Sequence, residues 1–282
     1  KLLDNGDEAD GAQPKSSLVD ITLAKLREEL QALALWNDPG HVYLHSFSKG
    51  LYPEWIYEVN GVRLRKRIVM PQGENTTLII YDVITAPGTF QLEFLPLLSY
   101  RNYHALRQAG DNVFTAPVFE DDCLKIKTYE GDTDLFIKIP GGDYTANNYW
   151  FYHFNYEVEK YRGQDFKEDL FNPGLCTVNL KPGDSLGIIL STKDPSQQNA
   201  FSLFDTELER RKEFLKSGSS NKIIQQLLLA ADQFIVKRLL LNTTSSNEAA
   251  SVIAGYHWFA DWGRDTMISL PGLCISTGRF NE

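Results

Sequence analysis

From Val42 to about Thr192 the apolar pattern changes to strand-like segments, several with a period of two, and this constrains the fold more than any other feature of the chain. "EWIYEV" and "VRLRKRIVM" flank Asn60-Gly61, a pair that tolerates positive φ at both positions and so predicts a two-residue hairpin. "TFQLEFL" sets Phe90, Leu92 and Phe94 on one face and Gln91 and Glu93 on the other. "CLKIKTY", "DLFIKI", "YWFYHFNYEVE", "LCTVNL" and "SLGIILS" read as further strands, the last two joined by the turn Lys181-Pro182-Gly183-Asp184. Many short strands with frequent turns predict a mainly β fold, an antiparallel β-sandwich over residues 41–195.

Helical spacing brackets this region. Residues 1–40 form an N-terminal segment with a helix expected over 18–35, where Leu23, Leu26, Leu30 and Leu33 share a face. A charged linker helix with a Glu207–Arg211 pair is expected within 196–220. Ser217-Gly218-Ser219-Ser220 would break it and cap the next helix. "NKIIQQLLLAADQFIVKRLLL" then predicts one long helix. Its polar arc of roughly 140° holds Lys222, Gln225, Gln226, Asp232, Gln233 and Lys237, and the rest is apolar and needs neighbours to bury it. After the polar loop "LNTTSSNEAAS", a last helix is expected from Asp265 or Thr266, with Pro271 in its early turns or bending it. On this reading the chain is a fragment: a β domain, a linker helix and, over 221–282, the start of a helical domain.

Net charge is -9. That balance argues against nucleic acid and anionic membranes, which demand clustered Lys and Arg. Three cysteines, Cys123, Cys176 and Cys274, make no CxxC pair and no disulfide framework, so a reducing, cytoplasmic location is expected. No cofactor is expected. Oligomeric state is not legible.

"YHWFADWGRDT", Tyr256 to Thr266, packs four aromatics, a His, two carboxylates and an Arg into eleven residues. Trp faces stack on the apolar C–H surfaces of pyranose rings, while carboxylate and guanidinium groups take hydroxyl pairs through charge-assisted hydrogen bonds. Trp258, Asp261, Trp262, Arg264 and Asp265 are therefore the candidate substrate-binding residues. A purely structural role also fits: Asp265 capping a helix, Arg264 paired with Asp261, and the Trp residues filling a joint.

"AGYHWFADWGRDTMISLPGL" resembles the signature of the glycogen-debranching amylo-α-1,6-glucosidase family, and Trp262-Gly263-Arg264-Asp265 is similar to a motif of the related glucoamylases. "NDPGHVYLHSF", "YPEWIYEVNGV", "ENTTLIIYDV", "YRNYH" and "YRGQDFKEDLFNPG" look like the N-terminal domain of bacterial members. The resemblance implies a β-sandwich followed by an (α/α)6 barrel, an α-glucan substrate, and contact of Trp262, Arg264 and Asp265 with the terminal glucose. It also implies hydrolysis with inversion. Two carboxyl groups roughly 6.5–9.5 Å apart would then flank the bond. Asp261 and Asp265 are too close on one loop for that, so no catalytic residue is expected within the chain, and the acid and base are expected after Glu282.

The rival readings are a glucoamylase-like α-1,4-glucosidase, an α-glucoside phosphorylase, and a non-catalytic glucan-binding module, which would not need the apolar helix. The stretch Arg162 to Asp169 is a second candidate: Asp165, Glu168 and Asp169 could reach over a barrel mouth with Arg162 as partner, but a solvated acidic loop is favoured. His41 and His45 fail as metal ligands, because a strand sets them roughly 13 Å apart and no third ligand follows. No metal site is expected.

Overall fold

Asn60 (φ +50°) and Gly61 (φ +80°) close the expected hairpin, with Val59 opposite Val62. Two positive φ values give the turn a twist that matches the flanking strands. The structure is a computed structural model that describes residues 40–281 apart from 103, 111–116, 128–132, 217–219, 240–247 and 256–259. The helix expected over 18–35 lies outside the described residues.

After a 3-10 turn at Gly40–Tyr43, eleven strands are formed among the described residues up to Ser191. They are β1 (Leu44–Lys49), β2 (Pro53–Val59), β3 (Val62–Val69), β4 (Thr76–Thr85), β5 (Phe90–Phe94), β6 (Val118–Glu120), β7 (Cys123–Ile126), β8 (Leu135–Lys138), β9 (Asp143–Asn155), β10 (Lys167–Leu180) and β11 (Ser185–Ser191). They pair antiparallel into an eight-stranded sheet, β1-β2-β3-β4-β11-β8-β7-β6, and a three-stranded sheet, β5-β10-β9. The Lys181–Asp184 turn joins one sheet to the other, with Gly183 at φ +86° and Asp184 Oδ2 accepting from Lys181 N at 3.0 Å.

The two sheets share one core. Val83, Leu124, Ile126, Ile137, Leu186 and Ile188 from the larger sheet meet Cys176, Val178 and Leu180 from the smaller. Phe90, Leu92 and Phe94 pack against this cluster, while Gln91 and Glu93 face solvent, so the alternation of β5 reads true. A second apolar layer covers the opposite face of the larger sheet. There Val69, Leu78, Ile80 and Ile189 pack under Ala200 and Phe204 of helix α2 (Ala200–Lys216). Burial on both faces is why "SLGIILS" is apolar throughout rather than alternating.

Three local expectations are corrected. The strand read as "YWFYHFNYEVE" stops at Asn155, and Glu157–Tyr161 form a short helix, α1. The stretch read as a loop from Arg162 to Asp169 becomes strand from Lys167, so "LCTVNL" is only the end of a fourteen-residue β10. Helix α3 (Lys222–Phe234) is capped by Asn221, whose side chain accepts from Ile223 N, and not by the serine run.

The long helix expected to continue to Leu241 ends at Phe234. Ile235 is extended (φ -91°, ψ 117°) and opens β12 (Ile235–Leu239), which pairs antiparallel with β13 (Glu248–Val252). Gln72, on the β3–β4 loop, supplies the stop: its Nε2 donates to the Ile235 carbonyl at 2.8 Å. The β-branched pair Ile235-Val236 favours the strand that follows.

Helix α3 is also turned against expectation. Asp232 of its polar arc is buried and Gln225 and Gln226 are half-buried, while the apolar Ile223, Ile224 and Leu227 are exposed. The reason is electrostatic. Arg210 of α2 bonds both Glu207 (Nε to Oε2, 2.9 Å) and Asp232 (Nη2 to Oδ2, 2.6 Å), and a buried carboxylate must keep such partners. The Glu207–Arg211 pair expected on α2 is present at 2.7 Å.

Candidate functional site

The motif that includes Trp262 sits where β13 hands over to the last helix. Ile253 forms a β-bridge with Asp261, which draws the chain back before it turns into α4 (Gly263–Leu270). The helix begins two residues before Asp265, with Trp262 as its extended N-cap residue and no side-chain cap. Asp265 therefore lies in the first turn, where a carboxylate is favoured by the helix dipole, and it is not the cap. Pro271 ends the helix and opens a π-turn, Pro271–Ile275, closed by Ser276 N on the Pro271 carbonyl at 2.9 Å.

Asp261 is committed to neighbours. It accepts from Ser251 Oγ at 2.9 Å and lies 3.5 Å from Arg238 Nε. The Ser251 hydroxyl, with a smaller contribution from Arg238, holds its carboxyl below the usual carboxylate range. The Arg264–Asp261 pairing considered from sequence is not formed; Arg264 Nε lies 3.7 Å from Asp265 Oδ2 instead. Trp262 is 55% exposed and the Arg264 side chain 80% exposed. An indole face, a guanidinium and a carboxylate are thus displayed together at one helix start. Trp258 lies outside the described residues.

The stretch from Arg162 to Asp169 is not a solvated acidic loop. Arg162 pairs with Glu159 at 3.1 Å. Glu168 is 1% exposed and receives both prongs of Arg101, Nη2 at 2.9 Å, together with Tyr156 Oη at 2.6 Å and Arg107 N at 3.1 Å. Burial alone would raise its carboxyl, but these donors outweigh it and keep the group below its ordinary range. Burial, and then the Glu168 bond, push the Tyr156 hydroxyl up to about 12. Asp169, also buried, accepts from Ala109 N at 2.9 Å and from His153 N at 2.8 Å. The only sequence signal was two consecutive acids running directly into an apolar strand, "KEDLF".

A cavity of about 500 Å³ opens where the larger sheet meets the helices, lined by Lys49, Gln72, Arg211, Asp232, Arg238 and Ile253 among others. Trp262, Arg264 and Asp265 do not line it. His41 falls in the 3-10 turn rather than on a strand, and His45 Nδ1 lies 3.7 Å from Glu58.

The family model described as glycogen debranching enzyme N terminal matches residues 25–187, more than half of the chain. The chain belongs to the glycogen debranching enzyme family. A second model, amylo-alpha-1,6-glucosidase, matches residues 229–282, and it contains the whole Trp262–Asp265 motif of this family member. Among solved structures the chain is similar to a bacterial glucoamylase complexed with acarbose, at 8% identity and a TM-score of 0.40, over 68% of this chain and 32% of that one. It is also similar to a protein described as a kojibiose phosphorylase from the human microbiome (9% identity, TM-score 0.27, 67% and 24% of the two chains). A family GH92 alpha-mannosidase from Bacteroides thetaiotaomicron matches at 7% identity and TM-score 0.22, over 65% and 25%. The chain thus spans about a third of the glucoamylase structure and less of the others. No curated protein matches it. No helix among the described residues is long and apolar enough to cross a membrane.

Proposed function

We propose that this member of the glycogen debranching enzyme family is the N-terminal part of a glycoside hydrolase that releases glucose from α-1,6 branch points of glycogen-like glucans, with inversion. The observation that carries the reading is the joint match of the two family models, with the exposed Trp262 and Arg264 and the half-buried Asp265 at one helix start inside the second. In this reading Trp262 stacks on the terminal glucose, and Arg264 and Asp265 hold its outer hydroxyls in charge-assisted hydrogen bonds. Trp258 edges the same subsite. Asp261, held ionised by Ser251 and Arg238, orients the loop and is unsuited to be the proton donor. The acid and base come from other carboxylates, after Glu282.

In the same reading residues 41–195 are a β-sandwich domain, 196–220 a linker and 221–282 the start of an (α/α)6 barrel. The exposed Ile223, Ile224 and Leu227 of α3, with Met267 and Ile268 of α4, support further helices packing there, since such a surface is otherwise a liability in water. Three free, buried cysteines support a cytoplasmic location.

Glucose release from a branched limit dextrin, measured for this chain and for the longer product of its reading frame, tests the proposal. Release by the longer product alone is expected. Release by the 282-residue chain would assign proton transfer to Asp261, Asp265 or the Arg162–Asp169 stretch and overturn the division of roles. Silence from both would overturn the activity.

A further inference from the structure

Among the described residues between β5 and β6 no regular element forms, yet the segment is tied to β10 by backbone bonds. Leu98 and Phe171 exchange backbone hydrogen bonds at 2.8 and 2.9 Å, and Asp169 N donates to the Arg107 carbonyl at 2.8 Å. Glu168 and Asp169, adjacent on β10, then take the Arg101 guanidinium and the backbone N–H groups of Arg107 and Ala109. Gln108 Nε2 adds a bond to the Lys167 carbonyl at 2.8 Å. Burying two carboxylates to fix a surface segment is poorly explained by stability, because an apolar contact of similar size does as well without the desolvation cost. What it secures is position.

The positioned groups line a recess of about 430 Å³ formed by Ser99, Tyr100, Arg101, Asn102 and Arg107. Arg107 Nη2 bonds the Tyr100 carbonyl at 2.9 Å, so both guanidiniums are held at the wall. Asn102 is exposed and uses its Oδ1 to accept from His104 N, which leaves its Nδ2 as a donor. Tyr100, at φ +36°, holds a backbone conformation that costs a non-glycine residue about 1 kcal/mol. Two guanidiniums are balanced by two buried carboxylates, so the recess is rich in donors and close to neutral. That chemistry suits vicinal hydroxyl oxygens beside an aromatic ring and disfavours an anion.

We propose that the recess of Tyr100, Arg101, Asn102 and Arg107 is a second carbohydrate subsite, on the sheet region, that takes a glucosyl unit of the glucan. The assignment rests on the glucan reading above. Glu168 and Asp169 are its positioning residues.

Calorimetric titration of the chain with maltotetraose tests it, comparing wild type, Trp262→Ala, Asn102→Ala and Tyr100→Gly. Tyr100→Gly removes the ring but suits the positive φ, so its fold is kept, and circular dichroism checks each variant. In the Trp262→Ala background, which isolates the recess, Asn102→Ala and Tyr100→Gly are each expected to weaken binding about tenfold. Unchanged affinity in both would overturn the proposal. So would tighter binding of inorganic phosphate than of maltotetraose, which would mark an anion site. No maltotetraose binding to any folded variant would also overturn it. The glucan reading stands or falls separately, on glucose release by the longer product.

Discussion

Arg279, three residues from the end of the chain, donates through Nη1 to Asp232 of α3 at 2.6 Å. Asp232 also receives Arg210, which in turn holds Glu207 beside Arg211, so a set of five charges ties α2, α3 and the final turn together. Asp232 and Glu207 are both buried. Asp232→Ala would remove the carboxylate that accepts from Arg279 and from both Nη1 and Nη2 of Arg210. A loss of about 3 kcal/mol in unfolding free energy by urea titration is expected. A loss under about 0.5 kcal/mol would show that the network is solvated.

Acid should loosen the same places. Burial would raise the Glu168, Glu207 and Asp232 carboxyls, but their Arg and other donors bring each below its ordinary value. A carboxylate lowered on folding adds stability above its unfolded pKa, and that stability is lost as pH falls through the folded value. The urea midpoint should therefore hold from pH 7 to about 5 and fall below it. Glu168→Gln should flatten the fall. A midpoint that rises on acidification would contradict the network.

Gly187 lies where α2 meets β11. A Cβ there would stand 2.6 Å from Ala200 Cβ. Gly187→Ala is expected to cost about 1–3 kcal/mol by pushing the start of α2 off the sheet. Ala200→Gly added to it should restore part of the loss, because the next contacts, Ile80 Cδ1 and Phe201 Cε2, are at 3.3 Å. A double mutant no more stable than the single would place the strain elsewhere.

Asp265→Ala, made in the longer product, separates binding from folding. Asp265 is in the first turn of α4 and is not its cap, so loss of the carboxylate should cost only a few tenths of a kcal/mol in stability. Loss of a charge-assisted bond to a glucose hydroxyl should lower kcat/KM for limit dextrin about ten- to a hundredfold. Near-normal turnover would sink the subsite assignment.

Much of the sheet region was legible because its signals are local. Asn60-Gly61 and Lys181–Asp184 carry their own turn chemistry, and the alternation of Phe90 to Phe94 depends only on which residues face a core. The family was legible for a similar reason, since the four consecutive residues Trp262 to Asp265 carry the resemblance without reference to the rest of the chain. Where residues answer to partners far away, local reading failed. Phe234 ends α3 because Gln72, over 160 positions earlier, takes the Ile235 carbonyl. Glu168 looked solvated because Arg101 and Tyr156, its donors, are 67 and 12 residues away. Helix α3 buries Asp232 and leaves Ile223 and Leu227 exposed because Arg210 and Arg279 converge on that carboxylate. By itself the sequence determined the mainly β class, the Asn60-Gly61 hairpin and the Lys181–Asp184 turn, all of which follow from short-range sterics and hydrophobic period. Only the tertiary structure decided which carboxylates are buried and where the last long helix stops. The free energy of a buried charge or an open carbonyl depends on whichever distant donor reaches it.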